Sequence, residues 1–179
     1  KMGLGIACVS EQAAQCSITF GAPAKTFNIA GIVSSFAVVP NAELREKFFA
    51  WLEANELDMA TIFAMVATEA AFTKGEEWRL QMLNYIEQNI DFVADYLAEN
   101  LPEIKVVKPQ ASYLVWLDFS GLGMSHKELV DMIVNKAHLA MNDGAMFGKE
   151  GEQHMRMNVG TRREVLLQAM QQLRDAILG

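Results

Sequence analysis

The sequence is poor in the residues that hold together small secreted domains and metal sites. It contains two cysteines, Cys8 and Cys16, and three histidines among 179 residues. Two cysteines cannot build a disulfide framework, and residues 1–7 are too short to read as a signal peptide. We therefore expect free thiols in a reducing, cytoplasmic compartment. Because the histidines share no ligand spacing with the cysteines, no metal site is expected.

Basic charge and long apolar runs are also scarce. The sequence contains 15 Lys and Arg residues and 22 Asp and Glu residues, which gives a formal net charge of −7. This balance argues against a nucleic-acid partner, which needs a basic face. No uninterrupted apolar run is long enough to span a bilayer, so no membrane partner is expected. The composition, 51% hydrophobic and 21% charged, is that of a packed globular protein.

Hydrophobic patterning in the first half predicts helices around a buried strand. The apolar run 32–39 lacks polar alternation and predicts a strand buried on both faces, as in an α/β sheet. Residues 58–72 are apolar nearly all round, which is typical of a helix in a large core or an interface. The remaining predicted elements are a polar helix at 10–15, a short strand at 17–20 and helices at 42–53, capped by Asn41, and 76–100.

The second half changes character after Pro102, which ends the long helix. Its pattern predicts the order β-β-α-β-β-α, a small α+β unit with helices packed on one sheet. The predicted strands are 104–107, 112–117, 139–141 and 155–159, and the predicted helices are 127–138 and 162–178.

Lys25 is the first candidate for chemistry. It follows a short strand, in a turn rich in Gly, Ala and Pro between apolar segments. Partial desolvation there would lower the pKa of the amine, and a neutral amine can form a Schiff base with an aldehyde. The spacing alone favours the alternative, a solvated loop lysine.

Arg156 is the second candidate. Strand alternation places it on the same face as Asn158 and opposite Met155, Met157 and Val159. An arginine fork can hold a carboxylate through two parallel hydrogen bonds. An ordinary polar strand face remains the alternative.

Two further segments carry weaker signals. Residues 142–148 contain an Asp-Gly step and paired glycines, which indicate a tight turn between strands more than a phosphate loop. Residues 112–118 predict a core strand, with a role for Tyr113 or Trp116 near a ligand as the alternative.

Several segments together resemble the class I/II aminotransferase superfamily of pyridoxal 5'-phosphate (PLP) enzymes, and most of all its MalY/PatB-type cystathionine β-lyase branch. The resemblance begins with Ala22-Pro23-Ala24-Lys25-Thr26-Phe27-Asn28-Ile29-Ala30-Gly31 and continues in order along nearly the whole chain. The later segments are Gly75-Glu76-Glu77-Trp78, Tyr113-Leu114-Val115-Trp116-Leu117-Asp118, Gly144-Ala145-Met146-Phe147-Gly148 and Arg156-Met157-Asn158-Val159-Gly160.

The resemblance implies a role for each candidate. Lys25 matches the catalytic lysine that binds PLP as a Schiff base and then works as a general base at Cα. Arg156 matches the arginine that grips the substrate α-carboxylate. Two positions depart from the usual pattern. Ala24 stands where many relatives have serine, and Val33 stands where many aminotransferases have a phosphate-binding arginine.

The resemblance also implies a fold and a domain organisation. Residues 1–85 would be the C-terminal part of the large α/β PLP-binding domain, with a mixed, mostly parallel sheet, and residues 86–179 the small α+β domain. The chain starts with Lys1 rather than Met, on what resembles a helix end, which fits a C-terminal half that lacks the segment before the lysine.

The function implied is a PLP-dependent C–S lyase that acts on an amino-acid substrate, cystathionine or a related cysteine S-conjugate. The products would be a thiol, pyruvate and ammonia. Aminotransfer is the first alternative, and a non-catalytic regulatory or dimerisation domain is the second. The complete enzyme would be a homodimer, and the isolated 179-residue chain is expected to be inactive.

Overall fold

The computed structural model describes residues 5–179 and divides the chain into two compact units, Lys1–Gln81 and Met82–Gly179. The helix end predicted at the start of the chain falls partly on residues 1–4, which lie outside the described residues. The division falls inside the long helix, close to the predicted domain boundary at residues 85 and 86. The assignment of the two segments as domains stays a prediction.

The first unit consists of helices beside one small sheet. Its helices are α1 (Glu11–Gln15), α2 (Ala42–Ala54), α3 (Ile62–Lys74) and the start of α4 (Glu76–Asn100). Strands β1 (Thr19–Gly21) and β2 (Phe36–Val38) pair antiparallel, with Phe20 opposite Ala37. Asn41 caps α2 as predicted, because its side chain accepts a hydrogen bond from the Leu44 N–H.

The apolar run 32–39 does not form the buried strand that its composition predicts. Only β2 is extended, and Phe36 and Val38 are 44% and 52% exposed. Both sheets of the described residues are antiparallel, so no parallel strand pair of the expected large-domain sheet lies within residues 5–179. Side chains point to the two faces of a sheet, so they are buried only where other elements cover these faces, whatever the composition of the strand.

Helix α3 also differs from its prediction as a buried helix. Among its side chains only Ala64 is buried, whereas Phe63 is 81% exposed and Ile62 is 72% exposed. A contiguous exposed apolar surface is unusual for a soluble protein and indicates a surface that normally has a partner.

The second unit has the predicted strand and helix order. Sheet order is β3-β4-β6-β5, and all neighbouring strands are antiparallel. The strands are β3 (Lys105–Val107), β4 (Leu114–Asp118), β5 (Asn142–Asp143) and β6 (His154–Asn158), and the helices are the rest of α4, α5 (His126–Asp131) and α6 (Arg163–Leu178). The predicted strand 139–141 was placed too early. The predicted helix 127–138 continues past α5 as a π-helical turn, Met132–Lys136.

One hydrophobic core organises the second unit. One face of the sheet and the inner sides of α4, α5 and α6 enclose it, with Val115, Leu117, Leu129, Leu166 and Leu173 among its fully buried side chains. Residues 154–158 follow the predicted alternation, since Met155 and Met157 are buried and Arg156 is half-buried. The opposite sheet face carries Arg156 beside Trp116 of β4.

No helix of the described residues is long and apolar enough to cross a membrane.

Candidate functional site

Lys25 lies at the centre of a tight turn that the backbone closes on itself. The Phe27 N–H donates to the Pro23 carbonyl oxygen at 2.9 Å, and the Ile29 N–H donates to the Ala24 carbonyl oxygen at 3.0 Å. Asn28 takes a left-handed conformation with φ of 53° and reverses the chain direction. The turn thus fixes the backbone on both sides of Lys25.

Phe27 anchors this turn to the rest of the first unit. Its ring meets Phe72 edge-on at 5.5 Å between centroids and stacks on Trp78 at 6.4 Å. A Cβ on Gly75 would come within 2.7 Å of the Phe27 ring, so the absence of a side chain there lets the α3–α4 junction approach closely. The packing of Phe27 therefore fixes the position of the backbone two residues after Lys25.

The Lys25 side chain is exposed, which corrects the expectation of partial desolvation. Within residues 5–179 its amine makes no hydrogen bond or ion pair. The turn is at the surface of its unit, and no other described side chain covers it. Val33 is 83% exposed and left-handed, so the position of the usual arginine supplies no cation.

Arg156 belongs to the second unit, on the sheet face away from the core. It lies opposite Trp116 of β4 on one side and Asn142 of β5 on the other. Trp116 in turn contacts Phe147 edge-on and stacks on His154, with centroids 5.7 and 5.6 Å apart. The guanidinium is thus surrounded by aromatic rings and one amide.

Two contacts hold the guanidinium of Arg156 in place. Its Nη2 donates to Asn142 Oδ1 at 2.9 Å, and its Cζ lies 4.7 Å from the centre of the Phe147 ring. Cation–π stacking and one hydrogen bond fix the plane of the fork without neutralising its charge.

The guanidinium keeps unused donors. Its Nε is buried and has no hydrogen-bond partner among residues 5–179. A buried N–H without an acceptor is rare in folded proteins and calls for an explanation, of which an absent water or ligand is one. A carboxylate, with two oxygens and a negative charge, matches the remaining donors of the fork.

The turn that carries Phe147 is locked by two glycines. Residues Gly144–Phe147 form a single 3-10 turn, and a Cβ on Gly144 would come within 2.6 Å of the His154 carbonyl oxygen. A Cβ on Gly151 would in turn overlap the Gly144 carbonyl group. Only glycine permits this mutual approach, which presses the turn against the start of β6. The prediction of a turn between strands is correct here, and the structure gives that turn a role in holding Arg156.

Comparisons with known proteins place these two clusters in a family context. No protein-family model matches the chain. Cystathionine β-lyase PatB of Bacillus subtilis is 39% identical over 171 residues, which cover 96% of this chain and 44% of PatB. The crystal structure of cystalysin from Treponema denticola, which contains PLP, has a TM-score of 0.91 and 32% identity, and the match covers 95% of this chain and 43% of that one.

The chain is a homologue of the PatB/MalY-type cystathionine β-lyases and of PLP-dependent aminotransferases. The predicted relationship and fold class are confirmed. Aspartate aminotransferase of Pyrococcus horikoshii is a more distant relative, 29% identical over 157 residues that cover 87% of this chain and 39% of the relative.

This PatB/MalY homologue spans less than half the length of the curated relatives that it matches, a coverage consistent with the predicted C-terminal fragment. The relationship does not test individual residues, so the roles of Lys25 and Arg156 stay predictions. Sequence reasoning missed Asn142 and Phe147 as the groups that hold Arg156. The signal available was their place in the turn 142–148 next to the strand of Arg156, but the pairing of β5 with β6 was needed to use it.

Proposed function

We propose that this chain is part of a PLP-dependent C–S β-lyase that acts on cystathionine or a related cysteine S-conjugate. The single observation that carries the proposal is the guanidinium of Arg156, held on Phe147 and Asn142 with its Nε unpaired among the described residues. It stands in a chain 39% identical to cystathionine β-lyase PatB over 96% of its length. An α-carboxylate is the ligand that this fork suits best.

The residues present fit PLP on one side of the cofactor. A primary amine is the group that condenses with the cofactor aldehyde, and the amine of Lys25 has no competing partner within residues 5–179. Ala24 and Val33 offer no hydroxyl or cation for the phosphate. The remaining contacts would come from elsewhere in the complete enzyme.

The proposed reaction assigns one task to each residue. Bound PLP would supply the electron sink for the pair left at Cα. Lys25 would hold the cofactor through its amine, and this amine, once freed by the substrate amine, would take the Cα proton as a general base. Arg156 holds the substrate carboxylate and so fixes the orientation of the Cα–H bond. The Cβ–S bond breaks with its electron pair on sulfur, which takes up a proton and leaves as the thiol. The remaining three-carbon enamine would tautomerise to an imine, and one water molecule would hydrolyse this imine to pyruvate and ammonia.

The test uses the complete enzyme with L-cystathionine and measures pyruvate and thiol together. We expect both products in equal amounts from the wild type, and no multiple turnover from Lys25→Ala. Lys74→Ala is the matched control, since Lys74 is an exposed lysine of the same unit. Borohydride reduction followed by peptide mapping should place the pyridoxyl group on Lys25. Multiple turnover by Lys25→Ala without added amine would contradict the assignment.

Aminotransfer is the second candidate, because aminotransferases such as that of Pyrococcus horikoshii are also among the relatives. Both reactions begin with removal of the Cα proton. They differ in whether sulfur leaves from Cβ or the proton returns to the cofactor. Formation of a keto acid from an amino acid without a leaving group, dependent on an added keto acid, would favour aminotransfer.

We propose further that the complete enzyme is a cytoplasmic homodimer. Cys8 and Cys16 are exposed free thiols, which suits a reducing compartment. The exposed apolar side chains of α3 support a surface that needs covering in the complete enzyme. Light scattering of the complete enzyme at micromolar concentration would give the mass of a dimer, and a monomer mass would contradict the proposal.

A further inference from the structure

We propose that His126 and Asp143 form a positioning pair that holds the Arg156 guanidinium in its carboxylate-binding geometry. The inference rests on the proposed function, because it assumes that Arg156 binds the substrate carboxylate. Neither residue touches the guanidinium. Both act through the two groups that do, Asn142 and Phe147.

The hydrogen bonds of His126 fix which ring nitrogen carries the proton. The Gln153 N–H donates to His126 Nδ1 at 3.0 Å, so this nitrogen is an acceptor without a proton. The proton of the neutral ring is then on Nε2, which lies 3.1 and 3.2 Å from the two carboxylate oxygens of Asp143. His126 therefore donates to Asp143 while the backbone of Gln153 sets its orientation.

Asp143 serves as the branching point of the network. Besides the bond from His126, its Oδ1 accepts the Ala145 N–H at 2.8 Å and so caps the turn Gly144–Phe147. Its backbone belongs to β5 and pairs with Met155 of β6. One carboxylate thus fixes both the end of β5 and the start of the following turn.

The two groups that contact Arg156 flank this carboxylate in the chain. Asn142 precedes Asp143 and accepts from Arg156 Nη2 at 2.9 Å, and Phe147 ends the turn that Asp143 caps. A shift of Asp143 would therefore move the hydrogen bond and the stacking ring together. Supporting residues of this kind set the precision of a binding group, because misplacement by about 1 Å is enough to lose much of its effect.

The matched variants separate the two hydrogen bonds of His126. His126→Gln can keep a donor at the position of Nε2 and so the bond to Asp143. His126→Asn can keep only an acceptor at the position of Nδ1, for the Gln153 N–H. Asp143→Asn keeps Oδ1 as the acceptor for Ala145 but removes the negative charge, and it places an N–H₂ group where Oδ2 lies 3.2 Å from His126 Nε2. His138→Asn is the control, since His138 is exposed and left-handed, a conformation that asparagine tolerates.

The experiment measures KM and kcat of the complete enzyme for L-cystathionine. We expect His126→Asn and Asp143→Asn to raise KM about tenfold with a smaller change in kcat, since the carboxylate grip loosens. His126→Gln should restore most of the wild-type KM, and His138→Asn should match the wild type. A merely structural role would lower the amount of folded enzyme without this split between KM and kcat and without rescue by glutamine.

A second readout needs no activity. In the ¹⁵N-histidine-labelled complete enzyme, long-range correlation spectra should give His126 with its proton on Nε2, and Asp143→Asn should perturb this ring while leaving His138 unchanged. A proton on Nδ1 of His126 in the wild type would overturn the inference.

The two proposals fail in distinguishable ways. An enzyme that makes no pyruvate, or in which Arg156→Lys has the wild-type KM, overturns the proposed function and the role of the pair with it. An enzyme in which Arg156→Lys is impaired, while His126→Asn and Asp143→Asn have the wild-type KM, overturns the positioning pair alone.

Discussion

The guanidinium of Arg156 provides the sharpest test at the scale of single residues. Lysine in its place keeps the positive charge but loses the planar fork and the stacking on Phe147. We expect Arg156→Lys to lower kcat/KM of the complete enzyme about 100-fold, which corresponds to about 2.7 kcal/mol of transition-state binding. The measurement is steady-state pyruvate formation from L-cystathionine.

Arg174→Lys is the matched control for this substitution. Arg174 pairs with its neighbour Asp175 on the exposed side of α6, and such pairs contribute little. We expect its kcat/KM to stay within twofold of the wild type, on the order of 0.4 kcal/mol. Equal effects of the two substitutions would contradict a carboxylate grip by Arg156.

Asp118 gives the second unit part of its stability at neutral pH. Hydrogen bonds from Ser120 hold the pKa of Asp118 below its ordinary value, with nearby His154 and Lys105 adding to the effect against the opposing influence of burial. Because the folded-state pKa is depressed, the carboxylate stabilises the fold above the unfolded-state pKa. This stability is lost as the pH falls through the folded-state pKa.

The resulting prediction concerns Asp118→Asn. We expect it to unfold about 1 kcal/mol more readily than the wild type at pH 7, with the difference shrinking below about pH 4. Urea unfolding of the chain at a series of pH values measures this. Asp95→Asn, on an exposed part of α4, should stay close to the wild type throughout. A constant difference across the pH range would mean that the titration of Asp118 is not its cause.

The sequence predicts the candidate residues themselves better than their surroundings. Strand alternation correctly places Arg156 opposite Met155 and Met157, since the period of a strand is local. Asn142 and Phe147 contact the Arg156 guanidinium only because β5 pairs with β6. No local sequence pattern specifies this pairing. The exposure of Lys25 likewise depends on what covers the turn, which its own segment does not determine.

At the scale of elements, one buried amide ties the long helix to the end of β6. Asn89 of α4 is fully buried, and its Nδ2 donates to the carbonyl oxygens of Val159 and Thr161, each at 2.9 Å. Its Oδ1 accepts from Arg163 Nε at 2.9 Å. The side chain thus makes three hydrogen bonds, which join α4 to the segment between β6 and α6 and to the first residue of α6.

Replacing this amide should be costly. Asn89→Leu keeps similar bulk but leaves the buried Val159 carbonyl, the part-buried Thr161 carbonyl and the Arg163 side chain without their partner, so we expect a loss of about 3 kcal/mol in the free energy of unfolding. Urea unfolding followed by circular dichroism measures it. Gln88→Leu, on the neighbouring exposed position of α4, controls for helix propensity and should change stability by less than about 0.5 kcal/mol. A similar effect of both substitutions would contradict the role of the amide network.

The sequence predicts well those elements that a cap residue or a hydrophobic alternation defines. It predicts poorly the burial of elements that other segments of the chain must cover. The Asn41 cap fixes the start of α2, and alternation fixes β4 and β6. The apolar composition of β2 and α3 predicts that their side chains are buried. Burial requires other segments to cover them, and within residues 5–179 these side chains stay largely exposed. The π-helical turn after α5 has no sequence signal at all.

At the scale of the whole molecule, the two units differ in how much apolar surface they bury. Among the described residues, the buried apolar side chains of the first unit are Pro23, Val39 and Ala64, whereas a single large cluster fills the second unit. Burial of apolar surface is the main stabilising term of a fold. The second unit should therefore be the more stable of the two when the 179-residue chain stands alone.

Hydrogen exchange tests this difference directly. In the isolated chain we expect the amides of β4, β6 and α6 to be protected to near the global free energy of unfolding, and those of α2 and α3 to exchange through local opening. In the complete enzyme the amides of α3 should become protected, because side chains such as Phe63, 81% exposed here, would be covered. If the amides of α3 were protected as strongly as those of β4 in the isolated chain, the first unit would be stable without a partner surface on α3. The exposed apolar side chains of α3 would then need another explanation.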